Sequence, residues 1–265
     1  MKSANSTTQR KRTVKPTGSA ADFIPPRPTL TKLRAAAKGC RGCHLYKVGT
    51  QTVFGEGPAR AQVIVVGEQP GDVEDTEGRP FVGPSGKLLD RALVAAGIDR
   101  DSVYVTNAVK HFKWARDART KRRIHQSPNA GEVRACLPWL QQEIALVKPG
   151  VIICLGATAA KALLGRTFSV MKSRGLRLDS DWAPAVFATV HPSAVLRAPR
   201  GERDRAERMF IADITKVGRY LARATPGAKR DPARPAPGGA SRFSTWPTTA
   251  RRSRTSSESI PSSRG

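Results

Sequence analysis

Acidic residues are scarce in this chain. Its 265 residues include 21 Asp and Glu against 46 Lys and Arg, so the formal net charge is +25 and the pI lies near 11.1. Solubility does not require so large an excess of positive charge. We therefore expect a polyanionic partner, and nucleic acid is the first candidate.

Long apolar segments are also missing. No stretch approaches the roughly 18 uninterrupted apolar residues of a membrane-spanning helix. The opening "MKSANSTTQRKRTVKPTGSAADF" lacks the apolar core of a secretory signal. We expect neither export nor membrane insertion, and we expect a cytoplasmic location, in association with the nucleoid if the source is bacterial.

Large apolar residues are rare at both ends of the chain. Residues 1–38 carry nine Lys and Arg against one Asp, and residues 225–265 carry eight against two acidic residues. Segments of this composition bury too little apolar surface to offset the entropy of ordering. We predict disordered basic tails over 1–28 and 225–265, and one folded domain over 29–224.

The middle of the chain contains four short runs rich in Val and Ile, each typical of a buried strand. The runs are "QVIVVG" (62–67), "VYVTN" (103–107), "VIICLG" (151–156) and "AVFATV" (185–190). Stretches with helical spacing alternate with them. This alternation predicts an α/β fold, a three-layer α/β/α sandwich around a central four-stranded parallel sheet.

Polar residues stand where three of these strands end. Glu68 follows the first strand, Asn107 ends the second and His191 follows the fourth. Ligands of parallel sheets bind at the carboxyl edge of the strands. We therefore expect these three side chains to converge on one site.

Cysteine is limited to four residues, in the pattern Cys40-x2-Cys43, 92 residues, then Cys136-x17-Cys154. Nothing in the sequence indicates the oxidising environment that disulfides need, so a metal site is favoured. The spacing does not separate zinc from a four-thiolate iron–sulfur cluster. Alternatively, Cys136 and Cys154 are buried core residues of a helix and a strand.

Several separated segments together resemble the iron–sulfur uracil-DNA glycosylases of family 4, and two of them resemble specifically its UdgX branch. The resemblance covers about residues 30–222 and rests on "GEQPGDVEDTEGRPFVGPSGKLL", "YVTNAVKHFK", the four cysteines, "HPSAVLR" and, for UdgX, "GEQPG" with "KRRIH". It implies a uracil-DNA glycosylase-like fold, uracil-containing DNA as substrate and a [4Fe–4S] cluster. Zinc is the alternative metal, and we expect a monomer.

The resemblance also implies which residues hold the uracil. Phe81 would stack on the base and Asn107 would bond its polar edge, since an amide both donates and accepts hydrogen bonds. Gln69 and Asp72 would shape the same pocket. His191 would contact a uracil oxygen and stabilise the negative charge that develops on the leaving base.

The "HPSAVLR" segment has a second implied role. Removing a base requires its extrusion from the stack, which costs a few kcal/mol and leaves a gap. By resemblance, Val195, Leu196 and Arg197 would wedge into that gap.

The segment between the second strand and the next helix is strongly cationic, with seven Lys and Arg against one Asp over 110–125 and no clear helical or strand period. The simplest interpretation is a solvated phosphate-binding loop, with Lys121, Arg122 and Arg123 on the DNA backbone. In UdgX-like proteins, however, the histidine of this loop is the nucleophile. That position is His125 here.

A neutral imidazole can perform this chemistry. Near pH 7 most histidines present a nitrogen lone pair, and one held at the face of C1′ outcompetes water by proximity. The product is an N-alkylated imidazole, which leaves poorly once its second proton is lost. Glu68 is the candidate base and orienter, or a charge beside C1′.

Three functions remain open at this stage. The favoured one is a DNA-repair glycosylase that excises uracil and then becomes covalently linked to the abasic site. The second is a conventional family 4 glycosylase that turns over. The third is a non-catalytic iron–sulfur module that binds nucleic acid.

Overall fold

The computed structural model describes residues 18–224, so the predicted tails lie outside the described residues over 1–17 and 225–265. The packed structure begins before residue 29, where the sequence placed the domain boundary. Ala20 is fully buried, and a 3₁₀ turn at Ala20–Phe23, capped by Ser19, contacts the helix at 130–147. The predicted N-terminal disordered segment, 1–28, therefore wrongly includes residues 18–28.

Five strands form the main sheet, and two more form a separate hairpin. The main strands are β1 Val63–Gly67, β2 Val103–Asn107, β5 Val151–Leu155, β6 Arg177–Ser180 and β7 Ala183–Thr189; the hairpin strands are β3 Trp114–Arg116 and β4 Arg123–His125. The order in the main sheet is β2-β1-β5-β7-β6. Strands β2, β1, β5 and β7 are parallel, as predicted, and β6 pairs antiparallel with β7.

The fifth strand was not predicted. It reads "RLDS" and lies at an edge of the sheet, where its side chains alternate between exposed and half-buried positions. A half-exposed edge strand lacks the continuous Val and Ile run by which the four buried strands were identified.

Eight α-helices surround the sheet in the described part of the chain. They are α1 Leu30–Ala37, α2 Asp72–Glu77, α3 Pro84–Ala95, α4 Ala130–Val147, α5 Gly156–Leu164, α6 Val170–Ser173, α7 Pro192–Leu196 and α8 Arg200–Ala224. Their starts follow local rules: Pro84 occupies the first turn of α3, and Asn129 caps α4 in a capping box with Glu132.

Successive residues of β1 point to opposite faces of the sheet. Val63 and Val65 pack in one core with α3 and α8, whereas Ile64 and Val66 pack in a second core with α4 and α5. Helices thus cover both faces, and the predicted three-layer α/β/α class is confirmed. A third, smaller core joins α1 and the middle of α4 through Leu33 and Trp139.

The cationic segment that showed no clear period is an antiparallel hairpin. Trp114 pairs with His125, and Arg116 pairs with Arg123. Its turn is closed by Asp117, whose carboxylate accepts hydrogen bonds from the backbone of Arg119 and Thr120. His125 is therefore held at the end of a strand and not on an irregular loop.

Within residues 18–224, no helix combines the length and the apolar character needed to cross a membrane.

Candidate active site

The carboxyl edge of the sheet brings the predicted residues together. Gly67 and Asn107 are partners in the β1–β2 register, so Glu68 and Asn107 leave the sheet side by side. The hairpin adds His125 and the β7–α7 connection adds His191. A cleft of about 580 Å³ is lined by Glu68, Gln69, His125, His191 and Arg197, among others. This volume falls within the roughly 300 to 1,000 Å³ of small-ligand sites.

A buried aromatic and an amide meet behind this cleft. A Cβ added at Gly67 would lie 2.3 Å from Asn107 Oδ1 and 2.7 Å from Phe81 Cζ, so no other residue fits at the end of β1. The rings of Phe81 and His191 are nearly parallel, with centroids 6.4 Å apart. The structure therefore places the residues predicted to stack on uracil and to read its edge in one cluster.

Phe81 is held in an unusual backbone conformation, with φ at +58°. Non-glycine residues adopt this left-handed region at a cost, and such strain is common at functional sites. A Cβ at Gly86 would lie 1.7 Å from the Phe81 carbonyl oxygen, so the turn packs directly on α3. Glu74 accepts hydrogen bonds from the Gly71 and Gly83 N–H groups and joins this turn to the one after β1.

His191 is fixed as a neutral hydrogen-bond donor. The Ser193 N–H donates to its Nδ1 at 3.1 Å, so the ring proton lies on Nε2. Burial, and then the charges of His125 and Arg197, lower the pKa of His191 to about 4. A neutral Nε2–H group can donate to a carbonyl oxygen or an oxyanion in the cleft.

His125 faces Glu68 across the mouth of the cleft. The distance from His125 Nε2 to Glu68 Oε1 is 3.5 Å. Burial lowers the pKa of His125; Glu68 opposes this shift, and Arg197 adds to it. The imidazole is thus mainly neutral near pH 7 beside a carboxylate.

Thr158, in the first turn of α5, was not singled out by the sequence. Its hydroxyl donates a hydrogen bond to Glu68 Oε2, which leaves Oε1 as the oxygen that faces His125. The only sequence signal was its position three residues after strand β5, at the same edge of the sheet as Glu68.

Gln69, predicted to shape the pocket, lines the cleft and also holds the hairpin. Its amide donates to the backbone carbonyls of Lys113 and Gln126 and accepts from the Lys113 N–H. These two residues flank the hairpin. Gln69 lines the cleft, but its polar atoms tie the hairpin to the end of β1.

Arg123 and Asp72, predicted for DNA and for the pocket, instead pair with each other. Arg123 donates to Asp72 at 2.5 Å and to the fully buried Asp75 at 2.6 Å. Its guanidinium also lies over the rings of Phe112 and Trp114. Arg123 therefore anchors the hairpin to α2, and its predicted contact with a DNA phosphate stays a prediction.

The other predicted cations remain accessible. Lys121 and Arg122 are exposed at the hairpin turn, and exposed Arg197 lines the cleft. The predicted wedge is only partly present. Val195 is 2% exposed and packs in the core, and Leu196 packs partly against the same core.

The four cysteines do not form one group. Cys40, Cys43 and Cys136 belong to the small third core, whereas Cys154 lies in strand β5 within the second core. Burial raises the pKa of the Cys43 thiol, a Leu45 N–H opposes this, and the charges of Cys40 and Glu132 raise it further. Burial alone raises the pKa of the Cys154 thiol.

This arrangement bears on the expected cluster. Backbone and side-chain N–H groups point at two of the three thiols: Lys110 N–H donates to Cys136 Sγ and Trp139 Nε1–H donates to Cys40 Sγ, each at 3.3 Å. Such donors suit thiolate ligands. The described residues contain no group of three or more metal-ligating side chains in coordinating geometry. Cys40, Cys43 and Cys136 share one core with N–H donors, Cys154 lies in another core, and the metal site stays a prediction.

A buried polar network, also missed by the sequence, supports Asn107 from behind. Lys110 pairs with Glu143 at 2.5 Å in the interior and donates to the Asn107 carbonyl oxygen at 2.8 Å. Glu143 also accepts hydrogen bonds from Tyr104 and Thr106. Because each charge is paired, this network fixes the end of β2 at the site.

Comparisons with known proteins agree with this geometry. The profile of the "Uracil DNA glycosylase superfamily" matches residues 54–215. The "Type-4 uracil-DNA glycosylase" of Pyrobaculum aerophilum is 38% identical over 195 residues, which cover 69% of this chain and 93% of that protein. The protein of the same name from Thermotoga maritima is 36% identical over 185 residues, or 69% of this chain and 90% of that protein. A third, from Sulfurisphaera tokodaii, is 35% identical over 179 residues, or 64% and 77%.

Proposed function

The chain belongs to the uracil DNA glycosylase superfamily and is a DNA N-glycosylase that excises uracil, and we propose that it then captures its own product through His125. The observation that carries this proposal is the position of His125. Its imidazole has a lowered pKa, lines the cleft and lies 3.5 Å from a carboxylate.

Excision comes first. The bond between C1′ and N1 of uracil breaks, and its electron pair leaves with the base as an anion. His191 Nε2–H donates to the uracil oxygen on which this charge develops, while Asn107 and Phe81 hold the base. Glu68, an anion at the cleft, stabilises the positive charge that forms at C1′.

Capture follows on the sugar. The neutral His125 imidazole carries one nitrogen lone pair, and Nε2 is the nitrogen that faces Glu68. This lone pair forms the new bond to C1′. The ring then carries a positive charge beside Glu68, and loss of its remaining proton to solvent leaves a neutral alkylimidazole, which is a poor leaving group.

The hairpin favours capture over hydrolysis by water. Gln69 holds both ends of the hairpin, and Arg123 fixes its second strand two residues before His125. A nucleophile fixed at the reacting face has a large advantage over solvent because it loses little translational and rotational entropy when it reacts. The proposed reaction is therefore one turnover per protein molecule.

We also propose an iron–sulfur cluster at Cys40, Cys43 and Cys136. The cluster would staple the segment that precedes β1 onto α4, so its contribution is structural. The N–H groups of Lys110 and Trp139 would stabilise the thiolate charge. Cys154 takes no part, because it lies in a separate core.

One gel tests the proposed function. Single-stranded DNA with one uracil is incubated with the protein, denatured and separated, and we expect a slowly migrating protein–DNA species. His125→Ser should lose this species and still release uracil, whereas the matched change at the exposed neighbouring position, Gln126→Ser, should keep it. A strand break that appears on alkali treatment, without any adduct, would identify a conventional glycosylase that turns over. An adduct that persists in His125→Ser would overturn the nucleophile assignment.

A further inference from the structure

Extrusion of a nucleotide needs apolar side chains as well as cations. Proteins that unstack DNA commonly insert an apolar wedge beside the displaced base, which offsets part of the cost of unstacking. The segment predicted for this task supplies only part of such a wedge, because Val195 is 2% exposed and Leu196 packs partly on the core. Further apolar contact is therefore expected from another part of the cleft.

Two exposed apolar side chains lie on the cleft. Met171 of α6 is 69% exposed and Ile124 of β4 is 45% exposed, and both line the cleft together with Glu68 and His191. The other exposed large apolar residues of the described chain lie elsewhere: Val73, Val94, Leu176 and Met209. Ile124 lies on the strand that carries His125 and directly precedes it.

The charges around this pair indicate what it contacts. Arg197 lines the same cleft, and exposed Lys121 and Arg122 lie at the turn of the hairpin that carries Ile124. Apolar side chains beside cations match a nucleotide strand, in which flat base faces alternate with phosphates. Methionine suits such a contact because its unbranched, polarisable thioether adapts to aromatic surfaces.

We propose that Met171 and Ile124 form an apolar rim that stacks on the bases flanking the extruded uracil. The rim would close the gap in the strand and keep the uracil in the cleft. This inference rests on uracil excision at this cleft but not on capture by His125, so it survives if the protein turns over conventionally.

The test compares Met171→Ala with Met209→Ala. Met209 is also exposed, at 42%, but it lies on α8 outside the cleft. Single-turnover release of uracil is measured on single-stranded DNA and on a duplex with a U·G pair. Because stacking contributes to holding each base, we expect Met171→Ala to slow release from the duplex at least about fivefold and from the single strand about twofold or less. Met171→Leu should restore most of the duplex rate.

A second readout follows the neighbouring base directly. 2-Aminopurine placed beside the uracil should be more fluorescent in the complex with Met171→Ala than in the complex with the unchanged protein, because its stacking partner is lost. The double change Ile124→Ser with Met171→Ala should increase both effects. If the unchanged protein releases uracil and the two alanine variants, Met171→Ala and Met209→Ala, release it at the same rate from both substrates, the proposed rim is wrong. If the unchanged protein releases no uracil, the glycosylase assignment itself fails.

Discussion

Nε2 of His125 lies 3.5 Å from Oε1 of Glu68, although one residue ends a hairpin strand and the other follows the first strand of the sheet. The contact depends on anchors at both residues. Thr158 orients Glu68, and Arg123 fixes the hairpin strand that carries His125. Mutations at these anchors therefore test the site without altering the reacting groups.

Arg123→Gln should loosen the hairpin and reduce capture. The change leaves the buried Asp75 carboxylate without its cationic partner, so we expect a loss of about 1–3 kcal/mol in unfolding free energy. The rate of adduct formation should fall at least about tenfold, since misplacement of a positioned nucleophile is costly, whereas uracil release should fall less. Thermal unfolding and a gel-based time course measure the two effects.

Arg122→Gln is the matched control for Arg123. Arg122 is exposed, so its loss should leave stability unchanged and weaken binding to DNA, with a smaller dependence of affinity on salt. If Arg123→Gln behaves in the same way, Arg123 contacts phosphate and the anchoring role is incorrect.

Thr158→Val should slow adduct formation, because Glu68 loses the hydroxyl that orients it. Valine keeps the shape of threonine, so the unfolding temperature should change little, and Thr158→Ser should restore the rate because it retains the donor. We expect a decrease of about tenfold to hundredfold, the equivalent of about 1.5 to 3 kcal/mol for one hydrogen bond to a charged group. Equal rates in the valine and threonine proteins would remove Thr158 from the site.

The sheet and its reacting edge could be predicted from the sequence, and the tasks of individual side chains could not. Runs such as "VIVVG" identify buried strands, and the topology of parallel strands then places Glu68, Asn107 and His191 at one edge. The partner of a charged side chain, however, is decided by tertiary packing. Arg123 is one of three consecutive cations in the sequence, and only the fold brings it to Asp75.

The cysteines illustrate the same limit. Four thiols in an ordered spacing suggest one site, but spacing along the chain does not determine which core a strand residue enters. Cys154 alternates with Ile153 along β5 and points into the second core. The antiparallel hairpin was missed for a related reason: its strands have three residues each, too few for a period to be visible.

The cysteine assignment predicts an unequal response to mutation. Cys40→Ser, Cys43→Ser and Cys136→Ser should each lose bound iron and the visible absorption band of a cluster, because each removes a thiolate ligand. Cys154→Ala should keep both and lose only a little packing energy. The iron content per chain and the absorption spectrum measure the loss of the cluster. A colourless protein that contains zinc would indicate a zinc site in place of the cluster. Loss of iron in Cys154→Ala would restore the four-cysteine site that the sequence predicted.

Adduct formation should depend on pH in a direction set by His125. Only the neutral imidazole carries the attacking lone pair, and burial lowers the pKa of His125 below the ordinary value of about 6.5. The rate should therefore fall only on the acid side, as the pH drops through the lowered pKa, and the midpoint of this fall should lie below about 6.5. Glu68→Gln removes the carboxylate that raises the pKa of His125. The change should shift the acid side of the pH–rate profile to still lower pH and slow the reaction. Rate constants from single-turnover gels over this range give the apparent pKa, and a value above 6.5 would mean that the Glu68 charge outweighs burial at His125.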